Sequence, residues 1–309
     1  MNSGILLVDK PQGITSHDVV ARMRRLAGTR KIGHAGTLDP MATGLLVLGV
    51  NSATRLLHYL VGLDKEYLAT VRLGWATTTD DAEGEALPAA PAAVATVTEA
   101  VVRTAMVPLT GGIEQVPSAV SAVKVDGKRA YQRVREGEMV ELAARRVTVS
   151  AFELLALRAG EGWIDLDVRV ECSSGTYVRA LARDLGVALG TGGHLTALRR
   201  TRIGEFDVAE ASALEGFDVV ASLIRPADAA RRALPIVEVT EQEAVDLGHG
   251  KRVDAARAPA QEASDAAAGA HGDTAIAAIA PGDRLVAIVE RRGTQLKVVT
   301  GFPPEESDA

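Results

Sequence analysis

The sequence predicts an α+β protein with a mixed, largely antiparallel sheet, followed by a small β-rich unit. Three observations carry this. Residues Trp163–Cys172 alternate Ile164, Leu166, Val168, Val170 and Cys172 against Trp163, Asp165, Asp167, Arg169 and Glu171, the period of a strand with one wet face. Tyr67–Gly74 repeats the pattern with Tyr67, Ala69, Val71 and Leu73 on one side. Helical segments lie scattered among such strands without the steady βαβ rhythm of a parallel sheet.

The elements follow in order. Gly4 to Val8 is an apolar run that reads as a strand and stops at Asp9-Lys10-Pro11-Gln12-Gly13, a Pro- and Gly-bearing turn. Thr15 or Ser16 caps a helix with Val19, Val20, Met23 and Leu26 on its apolar face, ended by Gly28. A glycine-bearing loop runs from Lys31 to Gly44. Leu45–Val50 is continuously apolar, as a strand buried on both faces should be. Ala53–Leu60 reads as a short helix, and the strand Tyr67–Gly74 follows. Residues 76–91 are acidic, then Ala- and Pro-rich, and read as a surface loop. Val94–Met106 reads as a helix, Val147–Leu157 as a strand, and Thr176–Leu189 as a helix entered through Ser173-Ser174-Gly175. Around Pro235 a second unit begins, with strands at Val237–Val239, Arg284–Val289 and Gln295–Val299 and a helix near Glu241–Leu247. The predicted division is therefore 1–230 and 231–309. Within the second part, 254–280 is Ala-rich and reads as a low-complexity, mobile insertion.

Length and composition bound the function. The chain has 309 residues, room for about two domains. Hydrophobic residues are 47% and aromatic residues 3%, so the cores must be aliphatic. The single cysteine, Cys172, excludes an internal disulfide and a Cys-rich zinc site. No two of the six histidines are spaced i, i+3 or i, i+4, and no metal site is expected. No apolar run approaches a membrane span, no signal peptide opens the chain, and a cytoplasmic location is expected.

The net charge of −6 argues against a nucleic-acid partner when taken whole. Its distribution says otherwise. Residues 1–75 are net +4, whereas 76–115 are −5 and 207–309 are −8. Three basic clusters stand out: Arg22, Arg24, Arg25, Arg30 and Lys31; Lys124, Lys128, Arg129, Arg133 and Arg135; and Arg199, Arg200 and Arg202. Each cluster alone reads as a solvated face, but three in the region that also holds the candidate site below favour the electrostatic footprint of a phosphate-binding face.

Phosphate-loop, nucleophile-elbow and zinc-protease motifs are absent. The most unusual segment is Gly33-His34-Ala35-Gly36-Thr37-Leu38-Asp39-Pro40-Met41-Ala42-Thr43-Gly44. Pro40 biases Asp39 toward extended backbone, and the glycines permit close approach of a ligand. A carboxylate thus sits on a constrained loop beside a buried strand, a placement suited to a catalytic group and equally to an Asp turn.

This segment resembles the catalytic loop of the TruB family of tRNA pseudouridine synthases. The resemblance extends, in order, over Val8–Ser16, Asp64–Tyr67, Gln115–Lys124, Ser174–Gly186 and Leu195–Gly204. It implies a pseudouridine synthase fold, a PUA-like C-terminal domain and isomerisation of uridine at position 55 in the tRNA T-loop. Asp39 is then the nucleophile, and Arg179 the guanidinium set against it. Tyr67 packs on the target base and is the candidate for C5 proton transfer. His34 fills the space of the flipped nucleotide, Tyr177 walls the pocket, and Lys10 supports the Asp39 loop. Lys10 and Leu198 are counted, with His34 and Tyr177, among the substrate-binding residues. The implied enzyme needs no cofactor and no metal, binds the tRNA T-stem and loop, and works as a monomer. A non-catalytic RNA-binding protein on the same scaffold is the rival, but it has no use for a carboxylate facing phosphates.

Overall fold

The computed structural model describes residues 2–88, 94–118, 142–259 and 274–303, with the backbone of 124–125 and 128–129. In chain order the elements are β1 (Gly4–Lys10), α1 (Ser16–Leu26), β2 (Ile32–Ala35), β3 (Thr43–Val50), α2 (Leu57–Val61), β4 (Lys65–Leu73), α3 (Glu99–Met106), β5 (Gly111–Gln115), β6 (Lys124–Val125), β7 (Lys128–Arg129), β8 (Arg145–Ala159), β9 (Ile164–Cys172), α4 (Val178–Ala188) and β10 (Gly193–Ile203). They continue with β11 (Phe206–Asp207), β12 (Ser212–Ala213), α5 (Pro226–Arg231), β13 (Ile236–Glu238), α6 (Glu241–Gly248), β14 (Val253–Asp254), β15 (Ala275–Ala280), β16 (Arg284–Arg292) and β17 (Gln295–Gly301). The chain forms two compact units, Met1–Leu63 with Arg202–Ala309, and Asp64–Thr201.

In the first unit β3 pairs antiparallel with both β1 and β2, while β12 adds parallel to β1. The run GILLV of β1 and the run LLVLGV of β3 are apolar at successive positions because both faces are covered. Ile5, Leu7, Leu45 and Val47 point into one core, and Leu6, Val8, Leu46, Leu48 and Val50 into another. The second of these cores is closed by α1 through Val19, Val20 and Met23. Leu26, expected on the apolar face, is half-exposed. Thr15, not Ser16, is the helix cap, in a capping box with Asp18. The loop expected from Lys31 to Gly44 begins with strand β2, which pairs with Val47–Val50 of β3.

A second sheet, in order β13-β15-β16-β17-β14, makes the C-terminal β-rich unit. Its first pair is parallel and the others are antiparallel. One face of β15 and β16, with Ala275, Ala277, Ile279 and Ile288, shares the core of Ile5, Leu45 and Leu56. The opposite face, with Ile276, Ala278 and Val289, packs on α6 through Ala244 and Leu247. The end of the expected mobile insertion is thus corrected: Ala275–Ala280 is a buried strand. Both faces of AIAAIA are buried, so no polar alternation marks it, and it reads as low complexity. Residues 260–273 lie outside the described residues.

In the second unit β10, β4, β9, β8 and β5 lie side by side, and the pairings of β4 with β9, β9 with β8 and β8 with β5 are antiparallel. The expected wet face of β9 is present, and it is filled by cross-strand ion pairs. Arg72 grips Asp165 with two bonds of 2.7 Å, and Arg169 reaches Glu66 and Glu153 on the neighbouring strands and Glu171 along its own. The mixed, largely antiparallel α+β architecture is as expected. Helix α4 meets the start of β10 so closely that a Cβ on Gly186 would lie 2.2 Å from the Gly193 nitrogen and 2.4 Å from the Gly192 carbonyl carbon. These are backbone atoms and cannot swing aside. Gly186→Ala should therefore cost about 1–3 kcal/mol, read as a lower melting temperature, and an unchanged melting temperature would show that this junction is slack.

Candidate active site

Asp39 lies in the short connection from β2 to β3, in the first unit, and is half-exposed. Its flanks are clamped on both sides. The buried Ser16 hydroxyl accepts from the Leu38 N–H at 2.9 Å and donates to the Leu38 carbonyl at 3.1 Å. The Pro40 carbonyl accepts from the Gly13 N–H at 2.8 Å and from the Lys10 ammonium at 3.4 Å. The Asp39 carbonyl itself accepts from Ala42 N–H at 3.1 Å. Gly36 at φ 83° and Gly44 at φ 98° turn the chain at either end of the connection. With Thr15 taking the capping role, Ser16 is released to hold Leu38.

Lys10 is fully buried, and its ammonium also donates to the carbonyls of Ile14 at 2.7 Å and Pro11 at 3.0 Å. Those bonds tie the β1 turn to the Asp39 loop, which is a positioning task. The His34 ring stands edge-on to His17, with ring centres 5.5 Å apart.

The other candidates belong to the second unit. Tyr67 and Leu198 are each 8% exposed, on β4 and β10. Tyr177 precedes α4, and the Gln115 side-chain amide holds both its N–H, at 2.8 Å, and its carbonyl, at 3.1 Å. Arg179 is buried on the first turn of α4. Its guanidinium donates to the Thr79 carbonyl at 2.9 Å and pairs with Asp81 at 3.3 Å. One turn later Arg183 pairs with Asp80 at 3.3 Å and donates to the Val116 carbonyl at 2.8 Å.

The segment expected as a surface loop, 76–91, is thus corrected over 76–88, and 89–91 lie outside the described residues. Asp80 and Asp81 are buried, Asp80 adopts φ 60°, and Ser118 donates to its carboxylate at 2.6 Å. Asp81 bridges in parallel to Leu195 on β10, and its carboxylate accepts from Thr79 at 2.5 Å and from Glu83 N–H at 3.0 Å. Adjacent acids answer arginines spaced i, i+4. The available signal was that spacing match, which composition alone hides. The basic cluster at 199–202 also turns inward in part, since Arg200 is 1% exposed. Most of the cluster at 124–135 lies outside the described residues.

Two buried titratable groups neighbour Tyr67. Lys65 sits two residues before it on β4, opposite Cys172. Burial, then the nearby Arg200 charge, lowers the Lys65 ammonium to about 8. Burial pushes the Cys172 thiol up to about 11. Among the described residues no group of His, Cys, Asp and Glu is arranged to hold a metal ion. No helix among them is long and apolar enough to cross a membrane.

Comparison with known proteins identifies the family. Residues 24–178 match the TruB family pseudouridylate synthase N-terminal domain, and residues 179–233 match the tRNA pseudouridylate synthase B C-terminal domain. The tRNA pseudouridine synthase B of Leifsonia xyli subsp. xyli is 59% identical over 307 residues, covering 99% of this chain and 98% of its own. That of Arthrobacter sp. strain FB24 is 55% identical, covering 98% of each. Among solved structures, a chain in the crystal structure of a Cbf5-Nop10-Gar1 complex superposes with a TM-score of 0.72 at 26% identity, covering 97% of this chain and 85% of that one.

Two outcomes follow from the geometry. Asp81→Ala removes one carboxylate facing the buried Arg179 guanidinium and should lower stability by about 1–3 kcal/mol; a wild-type denaturation midpoint would contradict this. For Lys65, the depressed folded value means that the unfolded chain binds more protons from about pH 8 upward. Stability should thus rise from about pH 8 toward pH 9, blunted over the same range by ionisation of the unfolded Cys172 thiol, and Lys65→Met should abolish that rise. A rise of equal size in the variant would assign it to another group.

Proposed function

The chain belongs to the TruB family of tRNA pseudouridine synthases, and on that premise we propose that it isomerises uridine 55 in the T-loop of tRNA, with Asp39 as nucleophile. The single observation that supports Asp39 most is the double clamp of its loop. A carboxylate whose neighbours are held at Leu38 by Ser16 and at Pro40 by Gly13 and Lys10 is already oriented before substrate arrives.

The reaction breaks the N1–C1′ bond, turns the uracil, joins C5 to C1′, and moves the C5 proton off the ring while N1 gains one. Every atom of the nucleotide is conserved apart from that proton exchange, so no co-substrate enters. Asp39 attacks the nucleotide and holds it while the base turns. Tyr67 stacks on the base and takes part in the C5 proton transfer. Arg179 keeps a carboxylate ionised and oriented, as a planar guanidinium does through paired bonds. Tyr177 and Leu198 wall the pocket, and Lys10 fixes the loop that substrate meets. His34 occupies the gap left when the uridine leaves its stack. The T-stem and loop are recognised by shape and phosphate contacts, by a monomer acting in the cytoplasm.

Asp39→Ala separates binding from chemistry. The variant should bind a T-stem-loop RNA within about threefold of wild type and form pseudouridine at less than roughly one-thousandth of the wild-type rate. Wild-type pseudouridine formation by the variant would remove Asp39 from the reaction.

A further inference from the structure

Most described arginines outside the first 40 residues have carboxylate partners. Arg225, Arg231, Arg232, Arg257, Arg284 and Arg292 are all in ion pairs. The end of α1 differs. Residues 19–38 contain no Asp or Glu but five cations. Of these, Arg24, Arg25, Arg30 and Lys31 are exposed. Arg22, Arg25, Arg30 and Lys31 form no ion pair among the described residues. Arg24 is the member with a structural task, donating to the Ile32 carbonyl at 2.9 Å. Gly28, at φ 62°, turns the chain so that Arg30 comes back beside the helix end. Arg24, Arg25 and Arg30 then line an open cleft of about 410 Å³ with Ala21, Gly28 and Thr29.

The helix macrodipole accounts for cations in the last turn, where Arg24 and Arg25 sit. It does not account for Arg30 and Lys31, which lie beyond the helix. Unanswered like charges gathered at one cleft repel, and a bound polyanion relieves that cost. The cluster is also joined to the Asp39 loop by β2, four residues long. At about 3.3 Å per residue, that strand sets a rigid spacing of roughly 13 Å.

We propose that Arg25, Arg30 and Lys31 bind backbone phosphates of the substrate RNA beside the target uridine, so that β2 sets the register between bound strand and Asp39. This rests on the functional reading above and adds to it a phosphate-binding surface outside the reacting nucleotide.

The test is the double variant Arg25→Ala/Arg30→Ala, titrated with a full-length tRNA and with a T-stem-loop from about 50 to about 200 mM KCl. Each phosphate contact contributes about 0.7–0.9 to the slope of log K against log salt, so the slope should fall by about 1.5. Affinity at about 100 mM salt should fall at least roughly tenfold. Both side chains are exposed, so the melting temperature should match wild type. If it does not, Arg25→Gln/Arg30→Gln carries the same readout. Arg25→Lys/Arg30→Lys should restore the slope, because a lysine still neutralises a phosphate. A folded alanine variant with wild-type slope and affinity overturns the proposal, as does a lysine variant that restores nothing. Turnover by wild type on the same RNA separates the two claims. No pseudouridine from wild type defeats the functional reading, whereas an unchanged slope in the variant of an active enzyme defeats only this surface.

Discussion

The antiparallel pair β1–β3 is buried on both faces, and the rest of the first unit is arranged to meet that requirement. Removing Ile5, Leu7, Leu45 and Val47 from water on one side, and Leu6, Val8, Leu46 and Leu48 on the other, needs two separate covers. Helix α1 supplies one. The other comes from α2, α5 and one face of the C-terminal sheet, which shares the core. The ladder closes where Lys10 opposes Gly44. At that point the β1 turn and the Asp39 connection emerge side by side. The buried Lys10 ammonium satisfies carbonyls from both, and this is how a hydrophobic constraint becomes a positioned carboxylate.

The second unit solves a different problem, that of burying charge. Arg179 leaves water together with Asp80 and Asp81, Arg183 does so in part, and main-chain carbonyls of Thr79 and Val116 take further guanidinium N–H groups. A buried guanidinium is tolerated only when its partners are fixed in place. Here they are fixed by the Leu195 bridge, by Ser118 and by the threonines of the acidic turn. The outcome is an arginine with little freedom to reorient, set on the first turn of a helix whose entry Gln115 holds through Tyr177.

Charge explains a second feature of the molecule. The C-terminal part is strongly acidic, yet its arginines are mostly consumed in local ion pairs, so its surface offers few free cations. The cations at the end of α1 are left without carboxylates. A net charge summed over the chain hides that contrast, because it averages a neutralised region with one that is not.

Much was legible from local pattern. The alternation of Trp163–Cys172 and the continuous apolar run Leu45–Val50 specified their strands and the number of faces each buries. Pro40 and the glycines around Asp39 marked a constrained loop, because their backbone limits are properties of single residues. What local pattern could not decide was which polar groups meet. Thr15 and Ser16 are equal candidates for a cap, and only packing made Thr15 the cap and Ser16 the brace of Leu38. The Ala-rich stretch ending at Ala280 carried no period, since a strand buried on both sides shows none. Asp80 and Asp81 looked like solvent-facing acids, because their partners lie about a hundred residues away. The sequence by itself therefore determined most of the elements, the constrained Asp39 loop and the family. Tertiary structure alone decided the loop's clamps, the burial of the acidic turn and the partners of Arg179, because those depend on groups distant in sequence losing water together.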